Sequence, residues 1–503
     1  MADQLLVFPL SAIDMFSLQN QSLTEEKLGD QCGKTPFNVV LRAETEMIFD
    51  SRSPRSIDDL PAEILSEIFS WCSLPPTYSC FVKPQPGNAP LVLRRVCSAW
   101  LRTVDSISHL WTTMEFMDEG QATGRFLKFA QRWLARAKAY PLRISLDFHQ
   151  EAQSHADAVI KTFLLPNLHR IQELSLSAPL GSYRLLVRKM PSVMPCLQLL
   201  SLSISGTAQD INWDEEGVID FRGCPKLREV TMNMVAPDPG FVGTSVVLVP
   251  WVLLTNIKLE QSILSINQAR TILYACRNAV ICEFSIGGAL QDQLDHQLQE
   301  FCPQYIVLPH LKKIFIECED DGNGGKAPQL SPLFNHLGLP NLESLDIASM
   351  APLSDEGLMK SITDLHTRCP FALNEFSLTS VAVELGSLLV FLRKVPTLTK
   401  LYLDGNDSRY HHYAELLNLI TYRPSSLDNI LPNLEQLSIR DNLNVRFWNY
   451  QNPDGDLSGY NLFTSRWWHG GYPYAQEGLA RLNHICVYWK NFGWHLYVAE
   501  QAW

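Results

Sequence analysis

The chain reads as an α/β protein: a small helical bundle, then a long array with parallel strands along one side and helices along the other. Three observations predict this. Residues 60–111 hold three apolar groups at helical spacing, the pattern apolar-x-x-apolar-x-apolar recurs from residue 171 onward, and amphipathic segments of helical period separate its copies. At 503 residues, 46% of them hydrophobic and 19% charged, the chain can bury a large core and exceeds the usual size of one compact domain.

The helical part begins in SIDDLPAEILSEIFSW, where Leu60, Ile64, Leu65, Ile68 and Phe69 fall at i, i+4, i+5, i+8 and i+9 and gather on one broad face. Glu63, Ser66, Glu67 and Ser70 line the opposite side. Pro61 is tolerated only in a first turn, and Asp58 and Asp59 suit the positive end of the helix dipole. Prolines at 75, 76, 84, 86 and 90 then forbid a continuous helix. Leu93, Val96, Cys97, Trp100 and Val104 resume the helical period, with Arg94, Arg95, Ser98 and Arg102 on the polar side, and Ile107, Leu110 and Trp111 form a third apolar group. Three such short elements make only a marginal core, so part of their apolar surface is expected to need a partner or the rest of the chain.

Copies of the repeated pattern start at Ile171, Leu197, Leu227, Leu254, Ile281, Leu311, Leu342, Leu373, Leu398, Leu434 and Leu482. Each predicts a short strand. Segments such as QARTILYACR and DEGLMKSITDLHTRC predict the intervening helices, which implies a parallel sheet. An earlier stretch, RFLKFAQRWLARAKAYPLRISLDF, supplies a helix and a strand around Ile144, so the array is expected to begin near residue 120.

Alternate strand residues point away from the helices. The first such row reads Ser175, Ser201, Thr231, Lys258, Ser285, Phe315, Asp346, Ser377, Tyr402, Ser438 and Cys486. The next row, two residues on, contains Glu260, Gly287, Glu317, Asp404 and Arg440. The late copies thus collect Phe315, Glu317, Asp346, Tyr402, Asp404 and Arg440, a mixture of aromatic and mostly acidic side chains suited to binding a partner. An ordinary solvated face is the alternative.

Composition excludes several functions. The formal charge of −12, with no long basic run, argues against nucleic acid and anionic membranes as partners. The opening MADQLLVFPLSAID lacks the features of a signal peptide, and VVLVPWVLL is too short to span a bilayer, so a cytoplasmic or nuclear protein is expected. The twelve cysteines show no C-x-x-C pair and are expected to be buried free thiols.

No cofactor, metal site or catalytic residue is expected. DDGNGGKAP lacks phosphate-loop spacing, NPDGDLSG lacks the glycine and glutamate of a calcium loop, and no nucleophile elbow is present. His411 and His412 read as surface residues. From Phe447 the chain turns aromatic, with Trp448, Trp467, Trp468, Trp489, Trp494 and Trp503, as expected of a segment that closes the end of an array. A ligand pocket there, with an enzyme built on it, is a further alternative. Residues 1–56 carry no motif and are expected to be a tail, disordered in part.

The order LPAEIL..IF, L..VC..W, HLW over residues 57–116 resembles an F-box, in the version with a Pro-rich insertion found in mushroom-forming fungi. The resemblance implies a helical bundle that docks on the Skp-type adaptor of a cullin-RING ubiquitin ligase. It implies that Leu60, Pro61, Ile64, Leu65, Ile68, Phe69, Leu93, Val96, Cys97, Trp100, Leu110 and Trp111 build the bundle and its adaptor-facing surface. Residues 120–503 resemble an irregular leucine-rich-repeat array with an aromatic C-terminal cap. An F-box joined to such repeats implies a substrate receptor without an active site, bound through the adaptor to cullin and through the repeats to a protein target. The alternative is a repeat scaffold outside ubiquitin transfer.

Overall fold

The computed structural model describes residues 60–72, 89–117, 123–148, 153–189, 193–205, 219–234, 247–287, 305–319, 328–405, 413–421, 423, 429–441, 482, 484–489 and 495–499. Contacts divide the chain between Asp59 and Leu60, and all these residues belong to the unit Leu60–Trp503. The N-terminal tail, the Pro-rich loop at 73–88, residues 320–327 and 452–459, His411, His412 and most of the aromatic C-terminal segment lie outside the described residues.

The unit opens with helices α1 (Ala62–Cys72), α2 (Ala89–Leu93) and α3 (Ser98–Ser106), followed by a 3-10 turn at Ser108–Trp111. Strand β1 (Thr113–Met117), helix α4 (Thr123–Ala137) and strand β2 (Leu142–Asp147) come next. The remaining strands are β3 (Ile171–Pro179), β4 (Leu199–Ser205), β5 (Ile219–Asp220), β6 (Glu229–Met234), β7 (Val247–Leu248), β8 (Asn256–Leu264), β9 (Ile281–Gly287), β10 (Ile306–Val307), β11 (Lys313–Glu319), β12 (Leu337–Gly338), β13 (Ser344–Ser354), β14 (Glu375–Ala382), β15 (Lys400–Gly405), β16 (Gln436–Asp441), β17 (His484–Trp489) and β18 (His495–Ala499).

Fourteen strands form one sheet in chain order, while β5 pairs with β7 and β10 with β12 in separate two-stranded sheets. Neighbours in the large sheet are parallel except β17 and β18, which are antiparallel. Parallel pairing requires a crossover between strands. Amphipathic helices such as Ile266–Ala275 and Leu358–Arg368 provide it, the former opened by a capping box in which Ser265 and Gln268 satisfy each other's backbone N–H groups.

All eleven copies of the repeated pattern fall at strands, and in the ten whose side chains are described the fourth and sixth positions supply the core. Leu174 and Leu176, Leu200 and Leu202, Leu345 and Ile347, and Leu401 and Leu403 are buried, while the residues between them keep contact with solvent. One face of the sheet is therefore closed by apolar packing and the other is open.

A polar ladder joins successive repeats. Asn278, Asn341, Thr397 and Asn433 each donate a side-chain hydrogen bond to a carbonyl of the preceding repeat, those of Val252 (2.8 Å), Pro309 (2.6 Å), Leu373 (2.8 Å) and Pro396 (2.9 Å). Each donor immediately precedes the first apolar residue of its repeat, so the contact recurs although the spacing varies.

Three expectations need correction. The sheet begins at β1, directly after Trp111, rather than near residue 120, so the helices and the array share one sheet. The segment from Leu93 to Val104 is not one helix: it turns at 94–96, and the Cys97 thiol caps α3 by accepting a hydrogen bond from the Trp100 amide (3.5 Å). The repeat at Ile281 was framed two residues late. Its apolar positions are Ala279, Cys282 and Phe284, all buried, so Glu283 rather than Ser285 stands beside Lys258 and Phe315 in the open row. Ser285 itself is buried and takes the place in the second row given to Gly287.

The expectation of buried thiols holds for Cys224, Cys276, Cys282 and Cys318, whereas Cys97, Cys196 and Cys369 are half-buried and Cys72 is exposed; all are free. Burial pushes the Cys224 thiol up to about 11 and Cys318 up to about 12, which keeps both protonated and unreactive.

Candidate binding surfaces

The structure divides the apolar residues of the helical module into two sets. Leu65, Phe69, Leu93, Leu110 and Trp111 are buried, and Trp100 packs its ring against Phe69 at 4.8 Å between centroids. Leu60, Ile64 and Ile68 are 36%, 49% and 37% exposed, and Pro61 and Val96 are exposed as well. The single broad face expected of α1 is thus two faces, about a third of a turn apart at 3.6 residues per turn. Trp71 and Val92, which the sequence reading missed, also expose apolar side chains. Trp71 lies seven residues after Ile64, a spacing that repeats the exposed face and was available in the sequence.

The buried set ends in a node that fixes the module to the array. Trp111 is fully buried, donates its indole N–H to the Val104 carbonyl (3.1 Å) and meets the Trp133 ring of α4 edge-on at 4.7 Å. Asp105 accepts from Arg94 (3.2 Å) and Arg136 (2.9 Å), and both guanidinium groups lie over the Trp111 ring. One carboxylate and one indole thus join α3, α4 and the turn that follows α2.

The second surface is the open face of the sheet. Parallel register places Lys258, Glu283, Phe315, Asp346, Ser377, Tyr402 and Ser438 in one row across β8, β9, β11, β13, β14, β15 and β16. Glu317 and Asp404 stand one row further along the strands, and Arg440 occupies the matching position of β16, its side chain outside the described set. Of the residues expected to form a contact patch, Phe315 and Asp346 are register partners on neighbouring strands and Tyr402 is two strands beyond Asp346.

Phe315 and Asp346 line a depression of about 380 Å³, with Lys313, Ser344, Glu283 and Ile281 around them. Lys258 bonds Glu283 at 2.8 Å, and the Tyr402 hydroxyl donates to Gln436 at 2.9 Å. Burial raises the Asp346 carboxyl above its ordinary value; a hydrogen bond from Ser377 opposes the shift and Glu375 adds to it. Glu317 is raised by burial and by the neighbouring Glu319 and Glu260 carboxylates. Tyr402 is raised by burial and by Glu375.

No protein-family model and no curated protein matches the chain. Among the described residues there is no group of three or more His, Cys, Asp or Glu placed to hold a metal ion, and no described helix is long and apolar enough to cross a membrane. The two surfaces differ in what they offer: the first presents aliphatic side chains on a helix, the second aromatic and charged side chains in fixed register.

Proposed function

We propose that the protein is the substrate-recognition subunit of a Skp-cullin-F-box ubiquitin ligase, with an F-box at residues 57–116 and a leucine-rich-repeat solenoid that binds a protein target. One observation carries the reading. The order of motifs that resembles an F-box coincides with a helical module that leaves Leu60, Ile64, Ile68 and Val96 in solvent while Leu65, Phe69 and Trp111 complete its core. On α1 itself the exposed apolar residues Ile64, Ile68 and Trp71, at i, i+4 and i+7, form the kind of stripe that an apolar groove on a partner covers.

In this reading the protein works by proximity. The module holds the adaptor, the open strand face holds the target, and target lysines gain effective concentration near the charged ubiquitin carrier. The Asp105 and Trp111 node supports such a role, because it restricts movement between the two surfaces.

Co-purification with a Skp-type adaptor tests the proposal. The intact chain is expected to bind, and an Ile64→Asp, Ile68→Asp variant that keeps its circular dichroism spectrum is expected to lose the complex. Leu65 is unsuitable for this test, since it is buried and its replacement by Asp would break the bundle. An intact chain that ignores the adaptor would leave the second reading, a helical cap on a binding array, which the direct passage from Trp111 into β1 favours.

A further inference from the structure

We infer that the open face of the sheet from β8 to β15 binds an extended, positively charged peptide segment, one of whose Arg or Lys side chains enters the depression between Phe315 and Asp346. This rests on the reading of the open strand face as the target-binding surface, and it assigns that target a chemistry.

Shape gives the first argument. A depression of about 380 Å³ holds roughly a dozen waters at about 30 Å³ each, room for one long side chain with part of its hydration. Neighbouring strands lie about 4.8 Å apart, so Phe315 and Asp346 flank one side chain while Tyr402 stands roughly 10 Å beyond Asp346. A segment crossing the strands therefore meets an aromatic ring, a carboxylate and a second aromatic ring in order.

Phe315 gives the second. From β3 to β16 only it and Tyr402 break a row otherwise made of Ser, Thr and charged residues, and its ring is only half-buried, so the fold gains little from it. A guanidinium or ammonium over that ring, with the Asp346 carboxylate beside it, gains both a cation–π contact and an ion pair.

Charge complementarity gives the third. Asp346, Glu260, Glu317, Glu319 and Glu375 carry no ion pair among the described residues, whereas Lys258 is already tied to Glu283. Lys313 and Lys400 are the opposing cations in the row nearer the start of the strands, and Lys313 lines that end of the depression, so the incoming side chain enters from the opposite end, beside Asp346 and Phe315. The field strengthens toward the strands' C-terminal ends, where the Glu317 carboxyl feels Glu319 and Glu260 together. A nucleic acid or an acidic peptide would be repelled there.

Fluorescence anisotropy with the full-length protein tests the proposal. The probes are a labelled octapeptide alternating Arg and Ser, the same peptide with citrulline in place of Arg, and the same with Glu. The Arg peptide should bind, the citrulline peptide at least tenfold more weakly, and the Glu peptide not at all. Asp346→Asn combined with Phe315→Leu should weaken the Arg peptide at least tenfold, as should Glu317→Gln with Glu319→Gln, which leaves the Asp346–Ser377 hydrogen bond in place. Asp364→Asn, an exposed carboxylate on the helix Leu358–Arg368, should change nothing.

Equal binding of all three peptides, an unchanged affinity in both double variants, or an equal loss with Asp364→Asn would overturn it. Adaptor co-purification is scored separately. Adaptor binding without Arg-peptide binding removes this inference alone, and peptide binding without the adaptor keeps it while removing the ubiquitin reading.

Discussion

Helix α1 and strand β11 both have one closed and one open face, with opposite chemistry on the open side. On α1 the buried Leu65 and Phe69 alternate with Ile64 and Ile68, which are equally apolar and 49% and 37% exposed. On β11 the buried Ile314 and Ile316 alternate with Lys313, Phe315 and Glu317, so only one of the three outward residues is apolar. The strand follows the rule for a half-solvated sheet, apolar inside and mostly polar outside. The helix breaks it. Folding accounts for Leu65 and Phe69 but gives no reason for Ile64 and Ile68, which is why an adaptor is proposed for the helix and a charged, aromatic contact for the strands.

The sharpest way to break this comparison is a pair of substitutions one residue apart. Leu65→Asp places an unpaired carboxylate in the core and should cost about 3–5 kcal/mol, whereas Ile64→Asp should cost under about 0.5 kcal/mol; urea denaturation measures both. Similar costs would mean that α1 has no separate outer face.

Next in size is the node that binds module to array. Trp111→Ala removes a fully buried indole, its bond to Val104 and the ring contact with Trp133, and should cost about 3 kcal/mol or more. If the module were independent of the sheet, the same change would leave protease protection of β1 and β2 intact.

On the strand face, Asp346→Asn should stabilise. The native protein holds the Asp346 proton more tightly than the unfolded chain does, so ionisation weakens folding as pH rises through the carboxylate range, and the cost is complete above the native value. The substitution should raise Tm by about 1–2 °C near pH 7 and by nothing near pH 3, where both states are protonated. A gain at low pH of the same size would assign the effect to packing instead.

The smallest effect belongs to the ion pair in the same row. Lys258→Met should cost about 0.5 kcal/mol in low salt and less in 0.5 M salt, because both partners keep contact with solvent. A loss above about 1.5 kcal/mol would show that the open face contributes more to folding than its polarity implies.

Sequence determined the rhythm of this protein. Buried pairs such as Leu174 and Leu176 or Leu401 and Leu403 are spaced as only a strand with one closed face requires, so strand order and parallel pairing are legible in the sequence. β1 was legible too, since Met114 and Phe116 alternate with Thr113, Glu115 and Met117, and Trp111 stands three residues ahead of Met114 where the other repeats carry their leading apolar residue.

The frame at Ile281 could have been set by Asn278, which stands just ahead of Ala279 as Asn341 and Asn433 stand ahead of Leu342 and Leu434. Ile281, Phe284 and Ile286 satisfy the same pattern, however, and cysteine is a weak apolar marker beside isoleucine. Apolar alternation does not decide between frames two residues apart, because the alternation of faces is unchanged by such a shift, and the sheet register settles it.

Tertiary structure decided three further matters. Cys97 is not a residue type that announces a helix cap, so the turn at 94–96 came from packing. The separation of Ile64 from Leu65 came from where α3 lies, since helical period locates an apolar face but not the edge of what covers it. The grouping of Phe315, Asp346 and Glu375 came from three strands meeting in register, and residues that far apart in the chain become neighbours only when the sheet closes between them.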